Sequence, residues 1–113
     1  MEISVSQLDD GIKRIELNGR LDMKNSLEID TRFTALTATG TGPVLVDMSH
    51  VEFIASIGMR LLLSNAKALA KRGGRMVLCG TQPLVREALE NAGLETLIPL
   101  YPDEASARAG LLA

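Results

Sequence analysis

PVLVDMSHVEFIASIGMRLLLSNAKALAKRGGRMVLCG, residues 43–80, decides the fold. At its head PVLVDMS is a short continuous apolar run, typical of a strand covered on both faces. From Ser56 to Lys71 the period becomes helical: Arg60, Ser64, Lys67 and Lys71 form a polar stripe, and Leu62, Ala66 and Leu69 a buried one. KRGGR ends that helix, its lysine and arginine favouring the negative end of the dipole and its glycines breaking the repeat. RMVLCG is a second buried strand. Two strands joined by a helix, over residues 44–79, pair in parallel through a right-handed crossover.

The flanks complete a mixed sheet. ISVSQL alternates apolar and polar residues, Asp9-Asp10-Gly11 is a turn, and IKRIELNG alternates again with Ile12, Ile15 and Leu17 inward. This predicts an antiparallel hairpin. Residues 24–38 space Leu27, Ile29, Phe33 and Leu36 as a helix, which TGTGP breaks at Gly40 to Pro43. Downstream, Pro83 sits near the first turn of a helix that Gly93 terminates. LETLIPLY supplies a last short strand, and DEASARAGLLA a C-terminal helix. The expected architecture is α/β: a mixed sheet of four to five strands packed against about four helices, one domain over residues 1–113.

Composition removes several classes of function. A 46% hydrophobic and 23% charged chain is ordinary for a folded soluble domain. Aromatics are few, and the net charge of −2 gives no reason to expect nucleic acid or an anionic membrane as partner. No apolar run approaches a membrane span, and MEISVSQLDDG lacks the basic and apolar character of a signal peptide. Cys79 is the single cysteine, so no internal disulfide forms and no thiolate metal site is built; a reducing cytoplasm is the expected setting. Cys79 reads as a small buried hydrophobe.

Nor does an enzyme emerge. His50 is the only histidine, in a turn after a strand. A triad of Ser56, His50 and Asp47 would have to meet within one short turn, and no G-x-S-x-G elbow surrounds the serine. The glycines at 40, 42, 73 and 74 fit neither a Walker A loop nor a dinucleotide fingerprint. No catalytic residue, metal ligand or cofactor is assigned. Ser56 is the better candidate, with two readings that do not exclude each other. A serine at a helix start caps unpaired N–H groups; the same geometry receives a phosphate. Gly58, two residues on, leaves the first turn bare for another protein to approach. Asp47 and Ser49, at the strand end, brace the loop through local side-chain to backbone bonds.

GRLD at 19–22, DMSHVEFIASIGMRLLL at 47–63 and GGRMVLCG at 73–80 stand in the order and spacing of a known family. The chain resembles STAS domains over essentially its whole length, and within them the stand-alone bacterial anti-sigma factor antagonists. The resemblance implies a partner-switching protein in the cytoplasm. Unphosphorylated, it binds an anti-sigma factor that is itself a serine kinase carrying ATP, and so frees a sigma factor; phosphorylation breaks the complex and a phosphatase restores it. It places the phosphoacceptor at Ser56 and the loop acid of the partner-facing surface at Asp22. The docking helix starts at Ile57, Gly58, Met59 and Arg60. Ala55 and Ile57 depart from the commoner motif, which has an aspartate before the serine and a second hydroxyl after it. An alternative keeps the domain and drops the switch: a constitutive STAS adaptor subunit of a lipid or solute transporter.

Overall fold

The computed structural model describes residues 1–40 and 42–113, so of the break expected at TGTGP, Thr41 lies outside the described residues. Strands β1 (Glu2–Gln7) and β2 (Lys13–Leu21) form the antiparallel hairpin, closed by Leu8 N–H to Ile12 O and turned at Gly11, whose φ of 83° favours glycine. Helix α1 (Met23–Ala38) leads to β3 (Val44–Ile54), which lies parallel to β2. Helix α2 (Ser56–Lys71) crosses to β4 (Met76–Cys79), α3 (Pro83–Asn91) to β5 (Leu100–Tyr101), and α4 (Glu104–Leu112) closes the described chain. The sheet runs β1-β2-β3-β4-β5 in chain order, with only the first pair antiparallel. Of LETLIPLY, Leu94–Thr96 forms a turn of 3-10 helix and only its last two residues pair as a strand.

Two unequal cores lie on either side of the sheet. The larger joins Ile15, Leu17, Val44, Val46, Met48 and Leu78 to Phe33 of α1, Leu62 and Leu69 of α2 and Leu89 of α3. The smaller joins Ile12, Leu45, Val77 and Cys79 to Ala107 and Leu111 of α4. Ile12, Ile15 and Leu17 are all fully buried, but Ile12 precedes β2 and belongs to the α4 side. Burial pushes the Cys79 thiol up to about 12, with the carboxylate of Asp47 adding to the effect.

Three sequence expectations need correction. β3 runs on to Ile54 instead of ending near Ser49, so His50 is a strand residue. Two register shifts each give β3 one residue more than β2, between Asp47 and His50 and between Val51 and Phe53. At the first, Ser49 N–H donates to Asp47 Oδ1 at 2.9 Å; Asp47 and Ser49 thus brace a bulge inside a strand, where a broken alternation looks like a turn. In α1, Leu27 is 61% exposed and Ser26, Ile29, Phe33 and Thr37 face inward, a stripe of polar ends and apolar centre that hides its period.

The two polar ends differ. Thr37 Oγ1 donates to Asn65 Oδ1 at 2.8 Å, Asn65 Nδ2 reaches Leu61 O at 2.9 Å, and Arg72 Nη2 reaches Thr37 O at 2.8 Å, cross-bracing α1 and α2. Lys13 Nζ meets the terminal carbonyls of α1, Leu36 O at 2.7 Å and Thr39 O at 2.9 Å, supplying the cation the last turn lacks. Ser26 Oγ, by contrast, is buried with no hydrogen-bond partner.

Ion pairs hold α4. Arg14 on β2 meets Glu104 and Asp47 at 2.5 Å each, and Arg108 meets Asp10 at 2.8 Å. Burial raises the Asp10 carboxyl, but the Arg108 guanidinium and the Ile12 N–H outweigh it and leave it below the usual range. The Ser106 N–H and hydroxyl depress Asp103, the cap of α4. Both groups are depressed in the folded state, so their contribution is complete above the unfolded value of 3.8 and fades as pH falls through the folded values. Amide resonances of Ala107 and Leu111 should therefore lose hydrogen-exchange protection below about pH 4, before those of Leu62 and Leu69 in α2.

A Cβ on Gly58 would stand 3.0 Å from Leu21 Cβ and 3.1 Å from Leu21 O, backbone-anchored atoms that cannot swing aside. Gly58→Ala gains about 1 kcal/mol of helix propensity but overpacks a tight contact at about 1–3 kcal/mol. The clash wins: urea denaturation should show a net loss of about 1 kcal/mol.

Candidate partner-docking site

Helices α1 and α2 start side by side at the carboxyl ends of neighbouring parallel strands, the edge where open α/β sheets assemble their sites. Leu21, the last residue of β2, is in register with Ile54, the last of β3, and Leu21 O accepts the Ala55 N–H at 2.9 Å. Asp22 follows this junction directly after β2, and Ser56 lies two residues beyond it after β3, next to Ala55.

Asp22 is half-buried and caps α1: its Oδ1 accepts the Asn25 N–H at 2.9 Å, and the Asn25 side chain donates to Arg20 O at 2.8 Å. Arg20 lies over the Phe53 ring, 4.5 Å from its centroid. The acid thus fixes the entry of α1 and reaches the surface with what remains of its carboxylate.

Ser56 is exposed, but it is not the cap. The cap position falls on Ala55, whose methyl offers no acceptor; the serine comes one residue too late, as the first residue of the helix. The first helical bond is Met59 N–H to Ala55 O at 3.1 Å, which leaves the N–H groups of Ser56, Ile57 and Gly58 without intrahelical acceptors. No acid stands in the first turn of α2, whereas α1 and α4 are capped by Asp22 and Asp103. The positive end of α2 is therefore left unneutralised, and an anion attached to Ser56 Oγ would sit on it.

The neighbouring residues divide by exposure. Arg60 is exposed, Ile57 and Met59 are half-buried, and Met59 also packs on the larger core. Gly58, expected on the docking surface, is buried against Leu21 and Ile54; its missing side chain serves the approach of α2 to β2, and offers no face to a partner. Ser56, His50 and Asp47 share no hydrogen bond among the described residues. Asp47 holds Arg14, and His50 Nδ1 lies 3.2 Å from Glu16 Oε1 and 3.3 Å from Ser49 Oγ.

Sequence reasoning missed the apolar residues around this edge: Met23 is 66% exposed, Leu27 61% and Phe53 39%. The inward stripe of α1 at 26, 29, 33 and 37 was the available signal, since it leaves 23 and 27 outside.

The chain as a whole is similar to several known proteins. BtrV of Bordetella bronchiseptica is 28% identical over 109 residues, 96% of this chain and 93% of that one. The anti-sigma F factor antagonist of Paenibacillus polymyxa is 26% identical over 98 residues, covering 86% and 84% of the two chains. The crystal structure of an anti-sigma factor antagonist from Mycobacterium paratuberculosis superposes with a TM-score of 0.89 at 25% identity, over 99% of this chain and 94% of that one. Residues 5–107 match the STAS domain, with the mixed five-stranded sheet and four helices described above, and the chain belongs to that family.

Proposed function

We propose that this chain is an anti-sigma factor antagonist, switched by phosphorylation of Ser56 by a serine-kinase anti-sigma factor and reset by a phosphatase. The observation that carries the reading is Ser56 itself: an exposed hydroxyl on the uncapped, acid-free N-terminus of α2, at the sheet edge where Asp22 caps α1 and where Met23, Leu27 and Phe53 are exposed. The names of the relatives support the class of partner. In the transfer, Ser56 Oγ attacks the γ-phosphorus of ATP held by the kinase. The new P–O bond forms as the bond to ADP breaks, and the hydroxyl proton passes to a base on the kinase.

Phosphorylation at this position acts on the complex and spares the fold. The added charge of about −1.5 to −2 meets the positive end of α2, which favours it by about 0.3–1 kcal/mol. In a closed interface the same dianion loses its water, and each 1.4 kcal/mol of that cost is about tenfold in affinity.

Stability and binding should therefore move in opposite directions. Ser56→Asp is expected to keep or slightly raise the melting temperature while weakening the anti-sigma factor about tenfold or more by calorimetry. Incubation with that factor and ATP should place one phosphoryl group on the peptide containing Ser56. No modification there, together with unchanged binding by Ser56→Asp, rejects the switch; constitutive capture of a transporter subunit in its place selects the adaptor reading. Ala55→Asp supplies the missing cap and should stabilise the protein by about 1 kcal/mol in urea denaturation.

A further inference from the structure

Between α1 and α2 runs an open groove of about 420 Å³, with Leu27 and Asp30 on one wall and Ile57, Arg60 and Lys67 on the other. We propose that this groove seats an amphipathic helix of about three turns from the anti-sigma partner, apolar along its buried stripe and acidic on the flank facing α2. The proposal rests on the partner-docking reading above and adds the shape and charge of what docks.

The groove has the length and lining for such an occupant. Residues 57 and 67 of α2 mark its ends, ten residues apart or about 15 Å along a helix axis, which is three turns. Leu27 and Ile57 give it apolar walls, and Leu27 is more than half exposed, left outside by the inward stripe of its own helix. Its floor includes Ser26, the one buried side-chain polar atom without a hydrogen bond among the described residues. A larger apolar residue there would fill the hollow and remove the orphan hydroxyl. A small, unsatisfied residue kept under an apolar groove is a local rule broken in favour of an open cleft.

Charge sets the orientation. Every charged residue of α2 is a cation: Arg60, Lys67 and Lys71. None of them belongs to an ion pair among the described residues. Arg60 and Lys67 stand two turns apart along one wall, spaced for carboxylates two turns apart on an occupant helix. The opposite wall carries Asp30, so an acidic flank is drawn to α2 and repelled by α1.

The groove also opens at the control point. Ile57 follows Ser56 directly, and Arg60 is four residues along from it. A phosphate on Ser56 would neighbour Arg60 at i,i+4 and take the guanidinium that the partner's carboxylate needs. Phosphorylation would thus compete for a cation as well as add a repelling charge.

The test uses a fluorescein-labelled, helix-stapled peptide of about three turns, leucines on one face and glutamates on one flank, against its lysine counterpart. Anisotropy titration of the full chain should show the glutamate peptide bound about tenfold or more tightly, with affinity falling as NaCl rises. Leu27→Ser and Lys67→Glu, both exposed, should each weaken it about tenfold. Leu84→Ser, at a leucine 76% exposed on α3, should leave it unchanged. Equal binding of the two peptides, no binding of either, or indifference to Leu27→Ser and Lys67→Glu overturns the proposal. Repeating Lys67→Glu with the anti-sigma factor separates it from the phosphorylation switch. Weakened binding with Ser56 unmodified by ATP rejects the switch and keeps the groove; unchanged binding with Ser56 phosphorylated rejects the groove alone.

Discussion

The hydrogen bond from the Ala55 N–H to Leu21 O, with Gly58 seated against the same leucine, is the constraint on which the rest of the arrangement hangs. It ends β2 and β3 at one level, so that α1 and α2 start together and return across one face of the sheet. Parallel pairing makes this possible, because the carboxyl ends of both strands then lie at one edge. A side chain at position 58 would push α2 away from the junction. The glycine that looks like an opening for a partner is a requirement of the fold, and the surface it makes possible is assembled from its neighbours.

The long, strongly periodic elements were legible in the sequence. The helix from Ser56 to Lys71 and the buried strand around Val77 follow from unbroken patterns, as does the hairpin turned at Gly11. Failures came where side-chain chemistry replaces pattern. The bulge at Ser49 satisfies its backbone with the Asp47 carboxylate, and no periodicity reports that. Ser26 and Thr37 occupy inward positions of α1 that a hydropathy reading gives to Leu27. At the site, Ser56 and Asp22 could be singled out from sequence. That the helix has no cap could not, because capping turns on a difference of one residue in where the first hydrogen bond closes.

The helix ends show how the molecule distributes electrostatic compensation. Aspartates cap α1 and α4, Pro83 starts α3 where an N–H would go unused, and Lys13 of β2 meets the carbonyls at the far end of α1. Only α2 begins with neither a capping side chain, an acid nor a proline in its first turn, and it is the helix whose charged residues are all basic. The chain as a whole is slightly acidic, so this helix is a local reversal of sign, set at the edge where Met23, Leu27 and Phe53 are exposed.

Burial also decides which atoms of the protein are chemically available. The sulfur of Cys79 is sealed in the smaller core beneath α4 and held as a neutral thiol, its ionisation pushed up to about 12. Oxidants, alkylating agents and thiol exchange all act on an accessible thiolate, and the folded chain presents none. The Cys79 thiol is therefore silent while α4 stays docked. Thiol reagents find no purchase on that sulfur, and covalent chemistry falls to groups at the surface, the exposed Met23 thioether among them.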